Sequence, residues 1–194
     1  MTGLAEALAG PVEDVAPRLL GSHLTHAGVT VRLTEVEAYA GEDDPGSHAH
    51  RGPTPRTTVM FGPAGRLYTY LSYGMHVCAN VVTGREGAAS AVLLRAGEVV
   101  GGVEQARSRR PGASDRDLAR GPARLCRALA IGLDLYGSDL EDGPARLVLP
   151  GPAQEVAAVS TGPRVGLRGA PERPWRYWLT GERTVSQYRP AAPR

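Results

Sequence analysis

The clearest periodic signal lies in VTVRLTEVEAY (29–39), where apolar and polar positions alternate as they do in a half-buried strand. RLYTYL and HVCANVV flank SYGM and predict a β-hairpin. SAVLLRA (90–96) is apolar on both faces, as an interior strand is. Helices are expected at LAEAL, at VEDVAPRLL just after Pro11, and at GPARLCRALAI (121–131). In the last of these Pro122 opens the helix, Leu125 and Leu129 lie one turn apart, and Gly132 stops it. ARLVL, VAAVST and WRYWL read as short strands between Gly/Pro turns. Strands precede and follow helices without a βαβ rhythm. The expected class is therefore α+β, one domain over residues 1–194. It is built on a curved, mainly antiparallel sheet surrounded by helices, with a protruding hairpin.

The pattern breaks in three places. Along 29–39 one face carries Val29, Val31, Leu33, Glu35, Glu37 and Tyr39, so apolar positions run into two carboxylates. Either the strand leaves the core at Glu35 and both groups are solvated, or a carboxylate stands at a pocket rim, where partial desolvation prepares it for base chemistry. Arg95 ends the buried-looking strand and poses the matching choice. It either snorkels outward or pairs with Glu35 or Glu37. In the hairpin, Tyr68 and Tyr70 share one strand face, as core or as the wall of a site. Tyr73 sits in the turn before Gly74, where little core is within reach, so it is an exposed ring or a wedge for something flat. Asn80 faces the tyrosine side or the other side according to whether the loop is odd or even in length.

Composition narrows the chemistry. The chain has 194 residues, 42% of them hydrophobic, enough for one core. It contains no apolar run of about 18 residues and no recognisable signal peptide, so no membrane association is expected. Two cysteines, Cys78 and Cys126, lie in apolar patterns, which suits a reducing compartment and excludes a four-cysteine metal site. All 22 basic residues are arginine, on a net charge of +2, so a lysine Schiff base is impossible. Arginines concentrate in residues 104–127, as a solvated loop or a phosphate-contact surface. His48 and His50 lack a third ligand nearby, and the P-C-x-x-C segment of zinc deaminases is missing.

Five segments together resemble the alkyladenine (3-methyladenine) DNA glycosylase family. They are EVEAYAGEDDPGSHAHRG, TPRTTVMFGPAGRLYTYLSYGMHVCANVV, AVLLRAGEVVGG, GPARLCRALAI and PRVGLRGAPERPWRYWLTGERTVS, in the family's order and spacing over about residues 15–187. The resemblance implies a monofunctional glycosylase that flips alkylated purines from duplex DNA and hydrolyses the N-glycosidic bond. The substrates implied are 3-methyladenine, 7-methylguanine and, among neutral lesions, etheno-adenine or hypoxanthine. It implies Glu37 as the base that deprotonates water and Arg95 as its helper. Tyr39, His48 and Tyr70 become the walls around the extruded base, and Asn80 the floor that discourages guanine. Tyr73 becomes the wedge that fills the gap in the stack. Arg107, Arg109, Arg110 and Arg124 are candidate phosphate contacts. The implied partner is double-stranded DNA containing a damaged purine, met by a monomer in the bacterial cytoplasm or nucleoid, with no metal and no cofactor. Competing readings are a damaged-DNA binder without chemistry and a hydrolase of free nucleosides. Two departures stand out: the loop HAHRGPTP differs from the form in animal members, and His76 occupies a position where an aromatic residue often follows the wedge.

Overall fold

The long alternating strand organises the molecule. The computed structural model describes residues 3–151 and 158–192. Two short helices, α1 (Leu4–Ala7) and α2 (Val12–Arg18), lead into β1 (His23–His26) and β2 (Val29–Tyr39). Ala27 and Gly28 join these strands with φ of 45° and 79°, the double left-handed geometry of a two-residue hairpin whose twist matches its strands. β3 (Leu67–Ser72), β4 (His76–Val82) and β5 (Ala91–Gly101) follow, then α3 (Val103–Arg109) and α4 (Pro122–Leu129). The chain closes with β6 (Arg146–Val148), β7 (Val159–Gly162) and β8 (Arg176–Leu179). Of the expected strand VAAVST, the part before residue 158 lies outside the described residues.

All strand pairs are antiparallel, in the order β3-β4-β5-β2-β1-β6. One edge of β2 takes β1 along Val29–Arg32 and β8 along Glu35–Glu37, and β8 carries β7. Two partners on one edge cannot lie in one plane, so the sheet branches and curls. The class is α+β. Among the described residues no helix is long and apolar enough to cross a membrane.

β2 does not keep a single apolar face. Its register with β5 slips between Leu33 and Val36: Leu33 lies opposite Gly97, Glu35 opposite Ala96, and Val36 opposite Leu94. The main core accordingly takes Val29, Val31 and Leu33, then Val36 and Ala38. This β-bulge reverses the phase of the strand, and Glu35, Glu37 and Tyr39 turn to the opposite face. The expectation of one face running from Val29 to Tyr39 is corrected on this point. Gly97 permits the close approach, because a Cβ there would lie 2.5 Å from the Arg32 carbonyl oxygen.

Alternation in the neighbouring strands completes two surfaces. Leu67, Ala79, Val81, Val92 and Leu94 join the core, against which α4 packs Leu125, Cys126, Ala128 and Leu129. Each such burial contributes about 1.5–3 kcal/mol for a leucine-sized side chain. Tyr68, Tyr70, Cys78, Asn80, Leu93 and Arg95 face the other way, into a cavity.

Candidate active site

The cavity measures about 530 Å³. Asn80 pairs across the hairpin with Tyr68, and Cys78 with Tyr70, so the register puts Asn80 on the tyrosine side. Its Nδ2 donates to the Tyr68 carbonyl at 3.0 Å. Tyr68 stacks on Tyr70 with ring centroids 5.5 Å apart, and His48 meets Tyr70 edge-on at 4.6 Å. The His48 Nδ1 lies 3.0 Å from the Tyr68 hydroxyl. Burial, then the nearby Arg56 guanidinium, lowers His48 to about 4, so the imidazole is neutral at physiological pH. His50 instead bonds the Glu42 carbonyl at 2.7 Å. Among the described residues no three His, Cys, Asp or Glu side chains gather to hold a metal.

Behind Tyr39, Arg95 and Val165, which line the cavity, lie the two carboxylates, both fully buried. Their surroundings differ. Glu35 receives Arg95 Nε at 2.9 Å, Arg176 Nε at 2.7 Å, Ser186 Oγ at 2.9 Å and the Ser186 amide at 2.6 Å. Three of these bonds fall on Oε1 and one on Oε2. Glu37 receives the Val165 amide on Oε1 at 2.6 Å, with the Tyr39 hydroxyl at 2.9 Å and Arg95 Nη1 at 3.3 Å on Oε2. Each carboxylate thus keeps one oxygen with a single donor, Oε2 on Glu35 and Oε1 on Glu37. The two differ in where their donors stand: all three donors to Glu37 come from residues that line the cavity, whereas Arg176 and Ser186, which bind Glu35, do not line it.

Arg95 is held between these anions. Burial pulls its pKa down, but Glu37 and then Glu35 more than offset this, and the guanidinium is held charged. Burial and the charge of Glu37 raise Tyr39 well above its ordinary value, so it remains a phenol and a hydrogen-bond donor.

Sequence reasoning missed the clamp on this site. Arg164, fully buried, donates to Asp44 Oδ1 at 2.8 Å and to the Ala38 carbonyl at 2.9 Å, with its guanidinium 4.7 Å from the Tyr39 ring centre. Burial pushes Asp44 up, but the hydrogen bonds from Arg164 and the Gly46 amide outweigh it and hold the carboxyl below its ordinary range. The pair fixes the segment that delivers Val165 to Glu37. Nothing in GEDDPG separates Asp44 from its solvated neighbours, and Arg164 stands in a Gly/Pro-rich stretch without periodicity.

At the hairpin tip, Tyr73 and Gly74 adopt φ of 52° and 69°, and the Met75 amide donates to the Ser72 carbonyl at 3.1 Å. Tyr73 is 90% exposed, with Leu71 and Met75 also exposed beside it. The expected arginines divide. Arg107 pairs with Asp115 and Glu104, Arg109 donates to the carbonyls of Ala128 and Ala27, and Arg110 donates to those of Leu118 and Asp117. Arg124 makes no such bond among the described residues and stands exposed at the start of α4.

Comparison with known proteins agrees with this architecture. The family model described as methylpurine-DNA glycosylase matches residues 6–183. A protein of Frankia casuarinae is 55% identical over 190 residues, covering 93% of this chain and 90% of its own. One from Leifsonia xyli is 56% identical over 189 residues, covering 91% and 87%. One from Streptomyces avermitilis is 50% identical over 198 residues, covering 97% and 92%. Each of the three is named as an inferred 3-methyladenine DNA glycosylase. The class is thus DNA N-glycosylase, and the chain belongs to the methylpurine-DNA glycosylase family.

Proposed function

We propose that this chain is a monofunctional glycosylase that draws an alkylated purine out of duplex DNA into the cavity and hydrolyses its N-glycosidic bond with Glu37. The observation that carries the reading is where the donors of the two carboxylates stand: Val165, Tyr39 and Arg95, which bind Glu37, all line the cavity, whereas Arg176 and Ser186, which bind Glu35, do not.

The walls suit a cationic base. A positive charge against an aromatic face of the cavity wall gains about 2 kcal/mol when desolvated, and a neutral His48 adds no repulsion. Asn80 lines the cavity, its amide nitrogen held by the Tyr68 carbonyl, and its side chain stands where it crowds guanine's exocyclic amino group. Tyr73 enters the duplex and replaces part of the lost stack, which offsets a flipping cost of a few kcal/mol.

In the reaction the C1′–N bond breaks and the alkylated base leaves neutral with the bonding electron pair. The sugar passes through an oxocarbenium-like state that the Glu37 carboxylate stabilises. Water, oriented by spare N–H groups of Arg95, forms the new C1′–O bond and gives its proton to Glu37. With no lysine in the chain, an abasic site is left without strand cleavage.

Base release from a duplex containing one 3-methyladenine or etheno-adenine tests the reading, alongside the same base as a free nucleoside. Wild type should release from duplex only, and Glu37→Gln should bind without release. Equal release by both proteins removes Glu37 from the mechanism; binding without release by either leaves a damage reader; release from free nucleoside leaves a nucleoside hydrolase.

A further inference from the structure

Tyr70 is the one residue that lines both the cavity and a neighbouring open groove of about 470 Å³. Arg56 lines the groove and not the cavity. Its guanidinium lies 5.0 Å from the Tyr70 ring centre, and Nη2 stands 3.3 Å from His48 Nε2 and 3.4 Å from Nδ1. One cation therefore backs two walls of the base site. Among the described residues Arg56 pairs with no carboxylate. Arg95, by contrast, lines the cavity but is neutralised by Glu35 at 2.9 Å and Glu37 at 3.3 Å. Arg56 thus places an uncompensated positive charge beside the aromatic wall.

A guanidinium carries N–H donors and no acceptor, so the His48 ring nitrogen that meets it must offer a lone pair. That requires a neutral imidazole, in agreement with the lowered pKa of His48. Tyr68 and Tyr70, the other titratable side chains against His48, are raised by burial and stay neutral phenols. The wall itself is therefore uncharged, and the positive charge is held behind it. From there it acts on a bound base in two ways. It draws on the π electrons of Tyr70, which leaves that ring a weaker partner for a second cation. It also repels positive charge inside a space where water screens poorly. A neutral base meets neither penalty.

We propose that Arg56 sets the class of lesion the pocket accepts: by holding a positive charge behind His48 and Tyr70, it narrows the advantage of cationic alkylpurines and lets neutral damaged bases compete. It is a positioning residue, acting through the two rings and touching no reacting atom. The inference rests on reading the cavity as the base pocket. Within that reading it opposes the attraction of the aromatic wall for positive charge, so the balance between the two decides the substrate range.

The test is single-turnover base release from two duplexes that differ only in the lesion, cationic 7-methylguanine in one and neutral etheno-adenine in the other. The proteins are wild type, Arg56→Gln, Arg56→Lys, Arg56→Met, and Arg146→Gln as a control on β6, at the opposite end of the sheet from the hairpin. The quantity read is the ratio of the two rates within each protein, so a smaller folded fraction cancels. Arg56→Gln and Arg56→Met should raise the ratio of 7-methylguanine to etheno-adenine release by roughly threefold to tenfold. Arg56→Lys, which keeps the charge, should stay near the wild-type ratio, and Arg146→Gln should match it. Because Arg56 is exposed, the shift should be larger at about 0.05 M than at about 0.5 M NaCl. An unchanged ratio in both neutral variants overturns the proposal. An equal loss on both lesions also overturns it, by making Arg56 a packing or general duplex contact. So does the same shift in Arg56→Lys as in Arg56→Gln, which would assign the effect to the shape of the guanidinium. Wild type that releases neither lesion sinks the glycosylase reading and this inference with it, whereas release with an unchanged ratio sinks the inference alone.

Discussion

Arg95 donates through Nε to Glu35 Oε1 at 2.9 Å, and that bond aims the rest of its guanidinium at Glu37. The two carboxylates therefore predict opposite phenotypes. Glu35→Gln breaks a buried ionic network that also holds Arg176, and should cost about 3–5 kcal/mol of stability. Glu37→Gln should cost less stability yet lower base release by at least about a hundredfold. Urea midpoints and single-turnover rates on the same two proteins decide it; the reverse ranking would exchange their roles.

Tyr73 sits in left-handed backbone at φ 52°, a strained place for an aromatic residue, with 90% of its surface exposed. Tyr73→Gly should relieve about 1 kcal/mol and raise the thermal midpoint. The same change should reduce base release from duplex by roughly fivefold to a hundredfold, the equivalent of one lost stacking contact. A destabilised variant, or one with full activity, would refute a wedge held under strain.

Acidification should loosen the pocket before the rest of the fold. His48 has its folded pKa depressed from 6.5 to about 4, so the unfolded chain takes up that proton first. The stability this contributes is complete above about 6.5 and is lost as pH falls toward 4. Asp44 is also depressed, and its contribution fades only below the ordinary carboxylate range. His48→Gln should flatten the dependence of the unfolding midpoint between pH 6.5 and 4. Asp44→Asn, which leaves Arg164 buried without its counter-ion, should cost about 3–5 kcal/mol at pH 7. An unaltered pH profile in His48→Gln would assign the acid sensitivity elsewhere.

Asn80 presents its amide from a fixed position, held by the Tyr68 carbonyl at 3.0 Å. Asn80→Ser should raise release of 7-methylguanine relative to 3-methyladenine by roughly tenfold, since the smaller side chain no longer crowds guanine's exocyclic amino group, a relief of about 1–3 kcal/mol. Competition between the two lesions in one reaction measures the ratio directly, and a constant ratio would rule out Asn80 as the discriminator.

The long strand Val29–Tyr39, the hairpin strands, the interior strand and the helix Pro122–Leu129 were legible because each carries its own local period, whereas the short strand His23–His26 and the helix Val103–Arg109 were not anticipated. Glu35 and Glu37 stood out as charges on an apparently apolar face. The reason for their placement did not show, because a bulge is one residue of slip against a partner strand about 60 positions away. Asn80 could not be oriented from sequence, since the three residues between Ser72 and His76 fix the register only once the turn is folded. Asp44 and Arg164 are 120 positions apart and leave no periodic trace. Pairing across such distances depends on topology, which no single stretch of the chain contains.

The network around Glu35 also sets when the active site comes into being during synthesis. Three of its four donors come from Arg176 and Ser186, which leave the ribosome long after the strand that bears Glu35. The Val165 amide that binds Glu37 also arrives late. A nascent chain can build the β2–β5 scaffold while Arg95 still lacks its fixed setting and Glu37 its backbone donor. Hydrolytic competence is thus among the last properties the growing polypeptide acquires, after it already holds most of its shape.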